Sequence, residues 1–429
     1  MSYNTYRARS ARDGRLAGCA WGVGIFDESH YVRSPRTLLY QALFKAKVGG
    51  KFQLSRTPLY HDVNSWVAQA DWLFSQIDPE ACAKHGPETL REILDGVKTG
   101  WIEMNEGFLA LKTSAYPWMI RRWAETKGSD GQPLVALQKH VINDVRLTYT
   151  ETELERLKGY IADIRNNRMD HVTMVIHEWR LACLSMSLAG NDTQDVGEDG
   201  DYQYRQTWDW ETVHEGPAIR WLRNKFVPIL LGEPSNGSPN KAVIFAPLLR
   251  QAWFIHWFLK TFFPALKSFI FHADILRPKR NYVIQEFSTV DSPAALVLTP
   301  ALGGTGLNLV AANHLIIMQK FWVLNEPRQA IGRIDPLGQK QMPTVWLHHC
   351  KHSVDDRAEE LHKLHAVYEA RLMHGLIGES FSYSDLVSAC QACVLEFQQL
   401  TELDRINIFP DSPKTVGCAT REQSPVSDG

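Results

Sequence analysis

An α/β fold, with parallel sheets flanked by helices, is what three stretches of this sequence predict. The first runs from Ala294 to Met318. It holds an apolar segment of buried-strand length, Ala295–Leu298, then Gly303-Gly304-Thr305-Gly306, then a second apolar segment, Leu315–Met318. The second is Glu326–Ile334, whose spacing predicts a helix with Gln329 and Arg333 four residues apart on one face. The third is Lys241–Ala246, which reads as another buried strand. The glycines leave two readings open: they make turns within an ordinary βαβ unit, or they let backbone N–H groups approach a phosphate closely. Arg333 could clamp a phosphoryl group with its planar fork.

Composition frames the rest. A chain of 429 residues exceeds what one core usually supports, so two or three compact units are expected. A hydrophobic content of 44% and 14 tryptophans argue for globular packing. The formal net charge of −2 excludes a globally basic nucleic-acid binder, leaving room only for a local basic stripe. Seven irregularly spaced cysteines point to a reducing compartment rather than a disulfide framework. No apolar run reaches membrane-spanning length and no signal peptide opens the chain, so a soluble intracellular protein without membrane partners is expected.

In chain order, the polar, arginine-rich start (Arg7, Arg9, Arg12, Arg15) reads as a solvated face or frayed terminus. Gly24–Phe26 leads into Asp27 and Glu28, a strand end that can set one carboxylate on Mg²⁺ and the other near an attacking water. Helical spacing dominates from Val63 to about Ser187, clearest at Ser65–Gln76 and Glu88–Val97. His140–Tyr149 alternates like a strand, and Thr150 with Glu153 forms a capping box for the next helix. The stretches 189–203 and 232–240 read as exposed loops. Thr344–His348 is a last strand and Ser353–Leu376 a long closing helix. The tail from Phe409 lacks apolar periodicity and reads as disordered. His348-His349-Cys350-Lys351-His352 and the pair Cys390/Cys393 have soft ligands without a second group at zinc-site spacing, so no metal is expected there.

Gly303–Leu309 and Gln329–Gln339 together resemble the last two motifs of the Swi/Snf-type helicase-like ATPases of superfamily two, GG-x-GLNL-x-x-A and QA-x-GR-x-x-R-x-GQ. Ser2-Tyr3-Asn4-Thr5 is similar to the SY-x-T that precedes the family's acidic motif. Asp27-Glu28-Ser29-His30 looks like its DEAH box, and Ser55-Arg56-Thr57-Pro58 its S/T-G-T-P motif. Tyr116–Arg122 resembles PF-x-x-RR. The strand at Lys241 looks like the start of the helicase C-terminal domain, and His272-Ala273-Asp274, Pro278 at a helix start and Phe287 resemble the family's x-x-DG…R-x-x-x-x-x-x-F block.

The resemblance, which runs from about Ser2 to Gly378, implies two RecA-like lobes, the first incomplete. It divides the chain into 1–150 (first lobe with a helical extension, closed by the strand at 140–149), 151–215 (helical connector), 216–378 (second lobe) and 379–429 (a helix, then a disordered tail). It implies a nuclear, ATP- and Mg²⁺-dependent translocase on double-stranded DNA, working in chromatin remodelling or repair with chromatin proteins as possible partners. Asp27 and Glu28 would serve Mg²⁺ and water, and Arg333 the transferring charge. Gln329, Gly332, Gly304 and Gly306 would line the nucleotide, while Arg280 and Thr305 would meet the DNA backbone.

The sequence departs from the family pattern at five places. Arg56 replaces a glycine, Ile275 another glycine, Gln319 an acidic residue, Val323-Leu324 the usual Asn-Pro, and Pro336 the second arginine. The family's P-loop is expected upstream of Asp27, where the 26 residues present hold no Gly-Lys-Ser or Gly-Lys-Thr. The expectation is therefore a chain inactive in isolation, holding ATP weakly if at all. The alternative is a non-catalytic remnant that acts as a nucleic-acid- or protein-binding module.

Overall fold

The strands that read as continuous apolar runs do so because both of their faces are covered. In the computed structural model, β4 (Lys241–Phe245), β6 (Ala294–Leu298) and β7 (His314–Ile317) form the centre of a six-stranded sheet, and the residues of β4 and β6 are buried throughout. Alternate side chains enter opposite cores. Ala242, Ile244, Ala295, Val297 and Ile316 join one cluster, and Val243, Phe245, Leu296, Leu298 and Leu315 join the other. Truncating any of the larger ones to alanine costs about 2–5 kcal/mol.

The structure describes residues 1–12, 16, 18–32, 34–55, 63–74, 86–115, 119–120, 126–132, 140–167, 171–189, 208, 210–233, 237–272, 275, 277–299, 307, 309–322, 325–334, 342–360, 362–363 and 366. The sheet order is β3-β8-β7-β4-β6-β5, all parallel, with β3 at Val141–Leu147, β5 at Lys267–Phe271 and β8 at Thr344–Cys350.

The N-terminal part carries α1 (Tyr3–Arg12), β1 (Ala20–Phe26), α2 (Leu38–Phe44), β2 (Lys47–Gln53), α3 (Val63–Phe74), α4 (Pro87–Thr99) and α5 (Met104–Ala115). After β3 come α6 (Glu151–Asn167) and α7 (His171–Leu184). Next are α8 (Pro217–Trp221), which runs through a π turn at Leu222–Phe226 into α9 (Val227–Leu231), and then α10 (Leu249–Phe262). The helices α7 to α10 cover one face of the large sheet, while α11 (Arg277–Thr289) and α12 (Asn325–Ile334) cover the other.

Of the two readings of the arginine-rich start, the solvated face is the one seen: Tyr3–Arg12 form α1 with Arg7 and Arg9 exposed, Ser2 Oγ accepts the N–H of Thr5 (3.2 Å), and Tyr3 and Tyr6 pack on the small core of Val32, Tyr40, Leu43, Ala68 and Trp72. The strand expected to close the first lobe pairs instead with β8 at the edge of the large sheet. Arg146 on β3 binds the helical segment 354–360 through a double hydrogen bond to Glu359, at 2.8 and 3.1 Å.

The smaller sheet has β1 and β2 in parallel register, Ile25 beside Phe52, with Phe26 edge-on to Trp72 of α3 at 4.2 Å. The capping box forms as read. Thr150 N–H donates to Glu153 Oε2 (2.7 Å) and Glu153 N–H to Thr150 Oγ1 (3.2 Å). Glu153 Oε1 also takes the N–H of Gly216 (2.6 Å) and the guanidinium of Arg220, locking the start of α6 to the start of α8. The closing helix is described over 354–360 and at a few residues beyond.

Candidate functional site

The carboxyl ends of β1 and β2 set the first half of the site. Backbone pairing continues past both strands: Leu54 N–H donates to Phe26 O and Ser29 N–H to Leu54 O, each at 2.9 Å. Between these two bonds the chain turns sharply, and Glu28 takes a left-handed backbone conformation with φ 50°, a costly choice for a residue with a Cβ. Asp27 Oδ1 accepts the Glu28 N–H at 3.0 Å, and its carboxylate stays exposed. The turn is braced from three sides: Tyr3 Oη donates to Asp27 O (2.5 Å), Ser29 Oγ donates to Gln69 Oε1 (3.2 Å), and Gln53 Nε2 donates to Gln69 O (3.1 Å). Burial, with the nearby carboxylates of Asp27 and Glu28, pushes the Tyr3 phenol well above its ordinary pKa, so it stays a donor.

The second half comes from α12. Its buried positions Ala330, Ile331 and Ile334 anchor it to the sheet, and Leu309 N–H donates to Arg333 O at 3.0 Å. The opposite side turns Gln329 and Arg333 toward Glu28 and His30. Arg333 Nη2 lies 3.9 Å from Glu28 Oε1, and Gln329 Nε2 lies 3.4 Å from His30 Nε2.

An amide N–H facing Nε2 makes that ring nitrogen the acceptor. The imidazole proton then sits on Nδ1, within reach of Ser55 Oγ (3.2 Å) and Glu28 Oε2 (3.3 Å). His30 is 1% exposed, so the two halves meet through a buried ring, with a partly buried ion pair beside it.

Of the residues read from the sequence, Glu28 and Arg333 face each other and Gln329 meets His30 beside them, while Asp27 lies exposed next to Glu28 and Gly332 is half-buried on the helix of Arg333. Gly304, Thr305, Gly306, Asp274, Arg56, Pro336, Arg121, Arg122, Cys390, Cys393 and the tail lie outside the described residues. Arg280, expected to be available for a nucleic-acid backbone, sends its Nε to the carbonyl of Ile275 at 2.7 Å.

His348 and His349 at the end of β8 are taken up by packing and polar contacts. His348 is buried edge-on against Trp221 (4.4 Å). His349 Nε2 lies 2.5 Å from Asp356 Oδ1, and its Nδ1 lies 2.7 Å from both Arg146 Nη1 and Glu359 Oε2. Among the described residues no group of three His, Cys, Asp or Glu is placed to hold a metal, and no helix is long and apolar enough to cross a membrane. His30, Ser55 and Tyr3 were not assigned roles from sequence, although the place of His30 two residues past Glu28 was an available signal.

Residues 222–335 match the helicase conserved C-terminal domain. The chain is 22% identical over 366 residues to the TATA-binding protein-associated factor mot1 of Aspergillus fumigatus, covering 76% of this chain and 18% of that protein. It is 22% identical over 372 residues to MOT1 of Saccharomyces cerevisiae, covering 79% and 20%, and 34% identical over 95 residues to the DNA repair protein RAD5 of Yarrowia lipolytica, covering 22% and 9%. It thus spans about a fifth of the length of the first curated relatives it matches. A solved structure, the Sulfolobus solfataricus SWI2/SNF2 ATPase core in complex with dsDNA, aligns with 93% of this chain and 75% of its own at 16% identity, with a TM-score of 0.42. Over 76% of its length the chain is similar to the TATA-binding protein-associated factor mot1, and residues 222–335 match the helicase conserved C-terminal domain.

Proposed function

We propose that this chain is the part of a Swi/Snf-type ATPase in which the acidic motif and the arginine motif face one nucleotide, in a protein that moves on double-stranded DNA in the nucleus. What supports the reading is one observation: Glu28 meets Arg333 at 3.9 Å, and His30 meets Gln329 at 3.4 Å beside it. Mg²⁺ and ATP fit the charges present. Asp27, exposed at the strand end, would hold the metal through its waters, and Arg333 would face a phosphoryl group. MgATP, when bound, supplies the phosphoryl group to be cleaved. Glu28 would then orient water, and His30 with Ser55 would hold Glu28 in place.

In our reading, the 429 residues hold nucleotide weakly and do not turn it over by themselves. They contain no Gly-Lys-Ser or Gly-Lys-Thr anywhere, and Pro336 stands where a second arginine is expected. Chromatin or transcription proteins are the proposed partners, after the names of the relatives. The second reading, a non-catalytic nucleic-acid- or protein-binding module, is favoured by Arg56 and Pro336.

Titration with a fluorescent ATP analogue, with and without Mg²⁺, tests the first reading. Mg²⁺-dependent binding that weakens in Asp27→Asn and Arg333→Ala supports it, and binding indifferent to both substitutions removes it. Anisotropy with duplex DNA at low and moderate salt tests the nucleic-acid part, for which weak, salt-sensitive and sequence-independent binding is expected.

A further inference from the structure

Gln319 stands where an acidic residue is expected, and a buried polar network gives that departure a chemical reason. Gln319 and Gln251 on α10 are each 1% exposed. The Gln319 amide donates to the carbonyl of Arg180 on α7. The Gln251 amide donates to the same carbonyl (2.7 Å) and to Gln319 Oε1 (3.2 Å), while its own oxygen accepts the N–H of Leu248 (3.2 Å). Arg180 sends Nη2 to the carbonyl of Lys320 (3.0 Å) and lies over the ring of Trp322 (4.7 Å). The N–H groups of Lys320 and Cys350 end on Asp355, at 3.2 and 2.9 Å. Positions 319, 320 and 322 are thus fixed just before α12 begins at Asn325.

Position 319 must donate to one neighbour and accept from another. An amide does both. A carboxylate would accept from Gln251 but would set a negative oxygen against the Arg180 carbonyl, with no proton to give. We propose that Gln319 and Gln251 form an amide clamp that fixes the lead into α12 and so sets the reach of Arg333 toward Glu28. Gln319 is then a positioning residue, and its change from an acid is compensated rather than a mark of decay. The clamp rests on the reading of Glu28 and Arg333 as the two sides of one site.

The test is hydrogen exchange by mass spectrometry on the whole chain without nucleotide, comparing the parent with Gln319→Glu. Exchange in 325–334 is expected to speed up about tenfold, the effect of one mismatched buried hydrogen bond. Protection in 277–289, on the same face of the sheet, should stay unchanged. In the same variant, the energetic coupling between Glu28 and Arg333, measured by a double-mutant cycle, should vanish. A uniform rise in exchange, no rise at all, or a local rise with the coupling intact would overturn the clamp. If Gln319→Glu does not fold, Gln251→Met carries the same test, because it removes the shared donor without adding charge. No readout needs ATP. A chain that binds no nucleotide but shows the localised effect keeps the clamp and sinks only the nucleotide reading.

Discussion

Glu28 Oε1 and Arg333 Nη2 face each other at 3.9 Å, one on a strained turn after β1 and the other on the last turn of α12. The side chains are 26% and 17% exposed, so water screens the pair only in part. Beside it, Gln329 and His30 make the second bridge between the same two elements.

That pair should be energetically coupled. In a double-mutant cycle of Glu28→Gln and Arg333→Met, followed by urea unfolding, we expect a coupling of about 0.5–1 kcal/mol that shrinks at high salt. Additive effects would mean that the two side chains are neighbours without interaction.

Among the described glycines, Gly216 combines a positive φ with backbone packed against the place a Cβ would take. Its φ is 126°, and an added Cβ would sit 2.6 Å from Leu184 O, while its N–H is committed to Glu153 Oε1 at 2.6 Å. Gly216→Ala should cost at least ~2 kcal/mol, since the backbone cannot relax without breaking that bond. Gly237→Ala, at φ 74° with nothing within 4 Å, should cost about 1 kcal/mol. Equal losses in urea midpoint would contradict the difference in packing.

Stability should fall on mild acidification. Burial pushes His348 down to about 3 and His314 down to about 4. The unfolded chain takes these protons near pH 6.5 while the folded chain refuses them. The stabilisation from the neutral rings is complete above pH 6.5 and drains as pH falls toward 4 and then 3. Asp355, raised to about 6 by burial, works the other way: protonating it on acidification favours the fold. Two histidines outweigh one carboxyl, so a net loss of a few kcal/mol, roughly 2–4, is expected between pH 6.5 and 4. Urea midpoints at four pH values check this, and His348→Leu should flatten the slope by one proton. An unchanged slope in that variant would show that His348 is not the proton acceptor.

The readable parts of this fold were those whose signal is local. β4, β6 and β7 show as short apolar runs, α12 by its spacing, and the Thr150–Glu153 box by two residues three apart. The pairing of β3 with β8 was not readable. Its partner strand β8 and the Glu359 that Arg146 binds lie far along the chain, and nothing in the alternation of His140–Tyr149 says which sheet will receive it. The helicity of α1 was hidden for a related reason, because Tyr3 and Tyr6 become an apolar stripe only once a core lies beneath them.

At the site, Glu28, Gln329 and Arg333 could be named from motifs. The bracing by Tyr3, His30 and Ser55 depends on the positive φ of Glu28 and on chain crossings that no spacing reveals. Gln319 is partnered by Gln251 on a distant helix, a pairing that no spacing in the sequence reveals.

In the proposed function, Glu28 and Arg333 serve one nucleotide whose phosphates these residues alone do not cradle. A phosphate-release assay with duplex DNA tests it most directly, run on the chain as it stands and on the chain fused to a P-loop-bearing first-lobe segment from the same family. The unfused chain should stay at background. The fused chain should gain DNA-stimulated turnover that drops about 10³-fold in Arg333→Ala. Turnover by the unfused chain that disappears in Asp27→Asn, or turnover by the fused chain that survives Arg333→Ala, would contradict it.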